Sequence, residues 1–226
     1  MSSGSNLYLV GTALDEEALL SPSAVNVLEQ CTLIIAEQKR VFEKQAKRSK
    51  LLLTEKTVLY LDNEKNFTEI ESLLKKAVNT SVALLSDTGM PVLFDPGKEV
   101  LDLCRKLKFQ IRTCPSATSW ATAASVSGFQ PPFFIEGFLP QEKEARKRRL
   151  DALLQLPGHK VLLETPYRYT ALVNEILAVS STQPVFLAWE IATPSEKYFW
   201  GSISELVSFS EKNQMKKGEF ILILKK

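Results

Sequence analysis

Ser81-Val-Ala-Leu-Leu-Ser-Asp-Thr-Gly-Met-Pro-Val-Leu-Phe-Asp-Pro-Gly97 reads as a strand, a loop and the start of a helix. Val82–Leu85 is a short apolar run whose length and composition suit a buried parallel strand. It stops at Ser86-Asp87-Thr88-Gly89, a polar loop of the kind that holds ligands at the end of such strands in open α/β sheets. Gly89 lets the backbone bend or approach a ligand closely. Asp87 offers a carboxylate that can accept from a hydroxyl or an ammonium. Pro91 stiffens the exit, and Asp95-Pro96 predicts the N-cap and first residue of a helix reaching about Lys106. An ordinary strand–loop–helix connection without a ligand is the alternative.

The same alternation extends in both directions. Leu7–Val10 predicts a first strand, which turns out at Gly11. Ser21-Pro22 caps a helix that ends near Cys31. Thr32–Ala36 predicts a second buried strand, closed by Glu37-Gln38-Lys39-Arg40, where Glu37 serves either an ion pair with Arg40 or catalysis. Arg40–Lys50 is a basic amphipathic stretch that reads as a solvated helix face. Val58–Leu61 predicts a strand. Thr68–Val78, with Ile70, Leu73, Leu74 and Ala77 three and four apart, predicts a surface helix. Phe109–Thr113 completes a β–α alternation that implies a mostly parallel sheet. The predicted domain boundary follows Cys114. Residues 1–114 form an N-terminal α/β domain, and residues 115–226 a C-terminal α/β domain with a mixed sheet.

In the second half, Ser116–Val126 is rich in small residues, which suits a closely packed helix. Gly128–Pro132 predicts a turn, and Phe133–Glu136, Lys160–Glu164, Val185–Ala188, Lys197–Trp200 and Phe220–Leu224 predict strands. Gln141–Arg149 predicts a helix with Glu142 and Glu144 in its first turn. Thr165-Pro166 caps the next helix, with Tyr167 and Arg168 in its first turn. A cation there opposes the helix dipole, so Arg168 needs a partner, either Glu164 or a substrate phosphate.

Composition narrows the chemistry. The chain has 226 residues, 45% hydrophobic and 24% charged, with a net charge of +2, so any case for nucleic acid must rest on a local patch. Met1-Ser-Ser-Gly-Ser5 lacks the basic start and apolar core of a signal peptide, and no apolar run is long enough to cross a membrane, so the expected location is the cytoplasm. Cys31, Cys104 and Cys114 are widely spaced and predict buried reduced thiols. His159 is the single histidine, which argues against a His-rich metal site or a Ser-His-Asp triad, and no metal is expected. It follows Pro157-Gly158, where a turn or edge role is expected. Trp120, Trp189 and Trp200 read first as core or rim packing residues, with stacking on bases as the alternative.

Five motifs in order carry a resemblance that covers nearly the whole chain. Ser86–Pro91 with Asp95-Pro96-Gly97 is similar to the "SDAGTP…DPG" signature of the tetrapyrrole methylase superfamily. Pro115-Ser116-Ala117 resembles "GPSA", and Glu136–Pro140 with Arg146 resembles "GFLP…R". Glu164–Arg168 resembles "ESPHR", and Lys217-Gly218-Glu219 resembles "KGE". Within the superfamily the chain resembles the ribosomal RNA small subunit methyltransferase I branch, with departures. The branch's "GNLxDIT" loop is absent at Gly11–Glu17, Gln38-Lys39 replace two residues of "EDTR", Cys114 stands for a glycine, and Trp189 for the arginine of "RELTK".

The resemblance implies two α/β domains with S-adenosylmethionine in the cleft between them. It implies cofactor contacts from Gly11, Ser86, Asp87, Thr88, Gly89, Met90, Val92, Ser116, Ala117 and Leu139. Catalytic or substrate roles fall to Glu164, Arg168, Lys217 and Glu219. The cofactor would carry the reactivity, and the protein would supply alignment and electrostatics. The expected function is methyl transfer, with the ribose of small-subunit ribosomal RNA as the first acceptor. A tetrapyrrole or other small acceptor is the second reading, and an RNA- or ribosome-binding relative without catalysis the third. The superfamily also implies a homodimer. Lys143, Arg146, Lys147, Arg148 and Arg149 form a dense basic patch, read either as a solvated helix face or, given the resemblance, as a contact for RNA phosphates.

Overall fold

The computed structural model describes residues 4–62, 64–77 and 79–226, without the side chains of Glu64 and Lys65. The chain forms two compact units, Met1–Thr118 and Ser119–Lys226.

The first unit runs β1 (Asn6–Val10), α1 (Pro22–Gln30), β2 (Leu33–Ala36), α2 (Lys39–Arg48), β3 (Thr57–Tyr60), α3 (Glu64–Lys76), β4 (Ser81–Leu85), α4 (Lys98–Lys106) and β5 (Gln110–Cys114). Its strands are all parallel, in the order β3-β2-β4-β1-β5. Side chains alternate across the sheet with the two-residue period of a strand. Ile34, Ala36, Ala83 and Leu85 pack on Ala24 and Leu28 of α1 and Phe42 and Ala46 of α2. Leu33, Ile35, Val82 and Leu84 face the other way, onto Ile70 and Leu74 of α3 and Val100 and Cys104 of α4. Both faces are covered, which is why β2 is apolar throughout and β4 is apolar from Val82 to Leu85. From β1 the chain leads outward to β2, and from β4 it leads the opposite way to β5. The strand order therefore reverses between β4 and β1, and the crevice beyond their carboxyl ends is the place where such sheets hold ligands.

The second unit runs α5 (Ser119–Ser127), β6 (Phe133–Gly137), α6 (Lys143–Gln155), β7 (His159–Leu163), a 3-10 turn (Pro166–Arg168), α7 (Tyr169–Val179), β8 (Pro184–Trp189), β9 (Lys197–Ser202), α8 (Ile203–Lys212) and β10 (Phe220–Leu224). The strand order is β6-β7-β10-β8-β9, with β6 and β7 parallel and the remaining pairs antiparallel. Leu162, Leu187 and Leu222 meet Leu150 and Leu153 of α6, Leu172 and Ile176 of α7 and Leu206 of α8. The small-residue helix α5 covers the other face against β7, β8 and β10.

Local chemistry sets the helix ends. Ser21 accepts from Ala24 N–H with Pro22 as the first helical residue, and Ser202 with Glu205 forms a reciprocal capping box on α8. Lys56 Nζ donates to the carbonyls of Glu29 and Cys31 at 2.8 Å, closing the C-terminus of α1. The basic stretch after Glu37 is amphipathic, with Val41, Phe42, Gln45 and Ala46 of α2 buried.

Several elements depart from expectation, among them α3, which starts at Glu64, and α6, which runs on to Gln155. Helix α4 starts at Lys98, not Pro96, because Gly97 sits at φ 113, outside helical backbone. A side chain there would begin 3.0 Å from Leu84 Cδ2, so Gly97 also permits close packing on β4. Helix α5 starts at Ser119, and Ser116 stays in the loop, held by a backbone hydrogen bond to Met90 Sδ. Tyr167 and Arg168 lie in the 3-10 turn ahead of α7. Val78, the expected end of a helix, lies outside the described residues. His159 opens β7 and packs its ring 5.0 Å from Phe129 and 5.4 Å from Phe133.

Candidate functional site

In the first unit the loops after β1, β4 and β5 are knitted at the crevice. Thr12 is buried and central. Its N–H donates to Gly89 O at 2.8 Å, and its hydroxyl lies 3.3–3.4 Å from the carbonyl oxygens of Ser86, Asp87 and Gly89. Gly11 N–H donates to Cys114 O at 2.8 Å. A side chain at Gly11 would begin 2.5 Å from Ser116 Cβ and 2.7 Å from Met90 Sδ, so the close approach of three loops requires glycine. Gly89 has φ +73, and Ala117 O lies 3.7 Å from where its side chain would begin. Ser86 Oγ donates to Thr88 O at 3.1 Å. Gly11, Ser86, Asp87, Thr88, Gly89, Met90, Ser116 and Ala117 are thus brought to one edge. Val92 points elsewhere, onto the core beneath α3 and α4.

Asp87 and Glu37 exchange backbone contacts across this edge. Asp87 N–H donates to Glu37 Oε2 at 3.1 Å, and Gln38 N–H donates to Asp87 Oδ1 at 3.2 Å. Burial raises the Asp87 pKa to about 6, and the Glu37 carboxylate adds to the rise against the opposing Gln38 hydrogen bond; Glu16 and Asp62 contribute further. No ion pair of Asp87 or Glu37 with a cation occurs among the described residues. Behind the loop, buried Gln45 donates to Asp87 O at 2.9 Å, and its own Oε1 has no hydrogen-bond partner. Glu17, in the loop after β1, pairs with Lys44 and Arg48 of α2.

In the second unit, the carboxyl ends of β6, β7 and β8 and the start of β10 share an edge. Glu164 follows β7 with its side chain buried. Its Oε1 accepts from Thr165 N–H at 2.8 Å. Arg168 Nη1 lies 3.1 Å from Glu164 Oε2 but is not aligned for a hydrogen bond, so that buried oxygen keeps unused acceptor capacity. Arg168 also reaches Pro140 O at 3.1 Å and Leu139 O at 3.5 Å, stapling the loop after β6. Leu139 itself is buried in the helix-side core. Glu190 N–H donates to Glu219 O, and Glu219 N–H donates to Glu190 Oε1 at 2.7 Å. A side chain at Gly218 would begin 2.3 Å from Trp189 Cζ2, so the glycine lets the chain cross the indole. Lys217 Nζ lies 2.9 Å from Tyr167 OH and 4.0 Å from its ring centroid. Leu139, Glu164, Arg168, Lys217 and Glu219 are thus gathered here.

The basic patch on α6 divides. Arg146 makes a bidentate pair with Glu175 at 2.6 and 2.7 Å and donates to the carbonyls of Pro140 and Gln141, with its side chain 12% exposed. Arg149 is held by Glu136, with bonds of 2.5 and 2.6 Å. These two arginines hold structure, a correction to a phosphate role for all five cations. Lys143, Lys147 and Arg148 are exposed. Glu142 accepts from the N–H groups of Glu144 and Ala145 as N-cap.

Sequence reasoning passed over Thr12, Gln45, Tyr167 and Glu190. The signals were small: a hydroxyl next to a strand-end glycine, an amide on the apolar stripe of α2, an aromatic after a strand-end proline, and an acid after Trp189. Cys31 and Cys104 are buried thiols whose pKa values are pushed up to about 12 by burial. Cys114 is also buried, on the α1–α2 side of the sheet. No helix among the described residues is long and apolar enough to cross a membrane.

Comparison with known proteins converges on one family. Ribosomal RNA small subunit methyltransferase I of Thermotoga maritima is 33% identical over 226 aligned positions, covering 96% of this chain and 97% of that protein. A crystal structure of diphthine synthase superposes with a TM-score of 0.70 at 13% identity, covering 98% of this chain and 89% of the other. Uroporphyrin-III C-methyl transferase from Thermus thermophilus, complexed with S-adenosyl homocysteine, superposes at 0.62 with 18% identity, covering 98% and 97%. The family model for Tetrapyrrole (Corrin/Porphyrin) Methylases matches residues 6–207, and with the two α/β units and their motif-bearing edges it establishes that the chain belongs to that family.

Proposed function

We propose that the chain transfers a methyl group from S-adenosylmethionine to RNA, as ribose 2′-O-methylation of small-subunit ribosomal RNA. The observation that carries the cofactor reading is the pair of carboxylates at the adjoining carboxyl ends of β2 and β4, Glu37 and Asp87, beside the β4–β1 crevice and without an ion pair to a cation among the described residues. S-adenosylmethionine carries a sulfonium and an ammonium against one carboxylate, so it brings the positive charge this edge lacks. A nucleotide phosphate would bring the wrong sign. The residues fit the cofactor: Asp87 can accept from its ammonium or hydroxyl groups, and Gly89, whose side-chain position meets nothing nearer than 3.6 Å, leaves room for close approach. When bound, the cofactor supplies an electrophilic methyl group on sulfur.

The relative from Thermotoga maritima, named for small-subunit ribosomal RNA, supports RNA as the acceptor. The exposed cations Lys143, Lys147 and Arg148 supply phosphate contacts. Arg168 acts by positioning, since it is spent on the loop after β6, while Glu164 holds the loop after β7 through Oε1 and keeps Oε2 without a hydrogen bond. Lys217 and Glu219 face solvent at the same edge and are the groups placed to handle an acceptor hydroxyl. Glu219 is the exposed carboxylate able to take the proton that leaves as the methyl group arrives, a role that contributes about a hundredfold or more.

The test is transfer of labelled methyl from S-adenosylmethionine to small ribosomal subunits lacking their 2′-O-methyl marks, followed by digestion to nucleosides. Label in a 2′-O-methylated nucleoside is expected. Label in a base, or transfer only to an added tetrapyrrole, contradicts the reading. With active wild type in hand, Glu219→Gln is expected to lower kcat about a hundredfold with RNA binding retained.

A further inference from the structure

We infer that the edge of the second unit formed by the loops after β6 and β7 is a stacking platform for unpaired RNA nucleotides, with Tyr167 and Phe138 as its rings. The inference rests on the RNA-acceptor reading and names the form of RNA that the edge takes.

Tyr167 is 75% exposed and Phe138 48% exposed, high values for large apolar rings. They sit on loops that follow two adjacent parallel strands, with Gly137 of β6 in register with Leu162 of β7. Both loops are rigidly held. Arg168, next to Tyr167, bonds Pro140 O and touches the buried Glu164, and Arg146 bonds Pro140 O and Gln141 O from α6. Pro166 and the 3-10 turn fix the backbone beneath Tyr167. Such fixed, exposed rings lose little freedom on binding a flat partner.

The charges around them are those that a nucleic-acid strand needs. Lys217 lies over one side of the Tyr167 ring and at its hydroxyl. Lys143 opens α6 immediately beyond the Phe138 loop, and Lys147 and Arg148 follow on its exposed side. The nearby Glu142 carboxylate is committed to the helix N-terminus. Aromatic faces beside a line of cations bind unpaired strands with little sequence preference, because every base has a π face and every nucleotide a phosphate. A paired duplex hides its base faces and cannot use the rings. The arrangement therefore selects an acceptor whose target nucleotide is unpaired or can be splayed out.

The test uses the full chain and two probes, a mixed-sequence single-stranded oligoribonucleotide carrying 2-aminopurine and the same strand annealed to its complement. Fluorescence titration gives the affinities, and calorimetry with S-adenosylmethionine monitors the cofactor site separately. Wild type is expected to quench and bind the single strand better than the duplex. Tyr167→Ala is expected to weaken single-strand binding about tenfold and to raise KM more than it lowers kcat, while Tyr167→Phe is expected to keep single-strand affinity within about twofold, since stacking needs the ring rather than the hydroxyl. Cofactor affinity is expected to stay unchanged in every variant. Tyr167→Ala and Phe138→Ala variants that bind the single strand as wild type does overturn this inference and leave the RNA reading standing. Wild type that binds the cofactor but neither RNA probe overturns both.

Discussion

At neutral pH Asp87 carries a charge that the folded chain disfavours. Its pKa is raised to about 6, first by burial and then by Glu37. An unfolded chain loses this proton near pH 4. Between those values the unfolded state binds fewer protons than the folded one, so stability from this group is full below about pH 4 and is lost as pH rises through about 6. Asp87→Asn keeps an acceptor for Gln38 N–H and removes the charge. Discounted for partial exposure, the gain is on the order of 1 kcal/mol, or about 2–4 °C in Tm at pH 7.5. The gap between variant and wild type should close below pH 4, and a variant with a lower Tm at pH 7.5 contradicts the electrostatic account. On the proposed cofactor reading the charge serves a cationic ligand, a common exchange of stability for function. Gly11 makes a steric claim beside this one. Gly11→Ala puts a Cβ 2.5 Å from Ser116 Cβ and should destabilise the first unit by about 1–3 kcal/mol, read from urea midpoints.

Helix α6 shows how residues of one charge divide their work. Arg146→Ala strands Glu175 and removes the donor from the Gln141 carbonyl, and should lower stability by about 2 kcal/mol. Lys147→Ala should leave stability within about 0.5 kcal/mol and reduce the salt dependence of RNA binding by about one phosphate equivalent. Equal effects of both substitutions on stability and on salt slope contradict the division. The sequence shows a run of cations but not their partners. Glu136 and Glu175 lie on β6 and α7, and only the packed unit brings them to Arg149 and Arg146. The helix and its acidic start were legible in the sequence, whereas its buried Leu150 and Leu153 lie past the predicted stretch. The start of α4 was not, because Asp95-Pro96 carries the local signal for a cap while the left-handed backbone of Gly97 is set by its approach to Leu84.

On the scale of the whole molecule, the apolar runs of β2 and β4 disclosed buried parallel strands, and the motifs at strand ends mark the edges where ligand binding is proposed. The cofactor-side motifs fell together because parallel strands put their carboxyl ends on one edge. Thr12, which ties three carbonyls there, stayed hidden because its neighbours in space are 74 to 77 residues away in sequence. The central claim is that this edge binds S-adenosylmethionine through Asp87. It is tested most directly by calorimetric titration of the wild type and Asp87→Asn with S-adenosylmethionine and S-adenosylhomocysteine at pH 7.5. Micromolar wild-type binding, about −8 kcal/mol, that weakens in Asp87→Asn is the predicted result. Folded wild-type protein that binds neither compound, or an Asp87→Asn variant that binds S-adenosylmethionine as tightly as wild type, contradicts it.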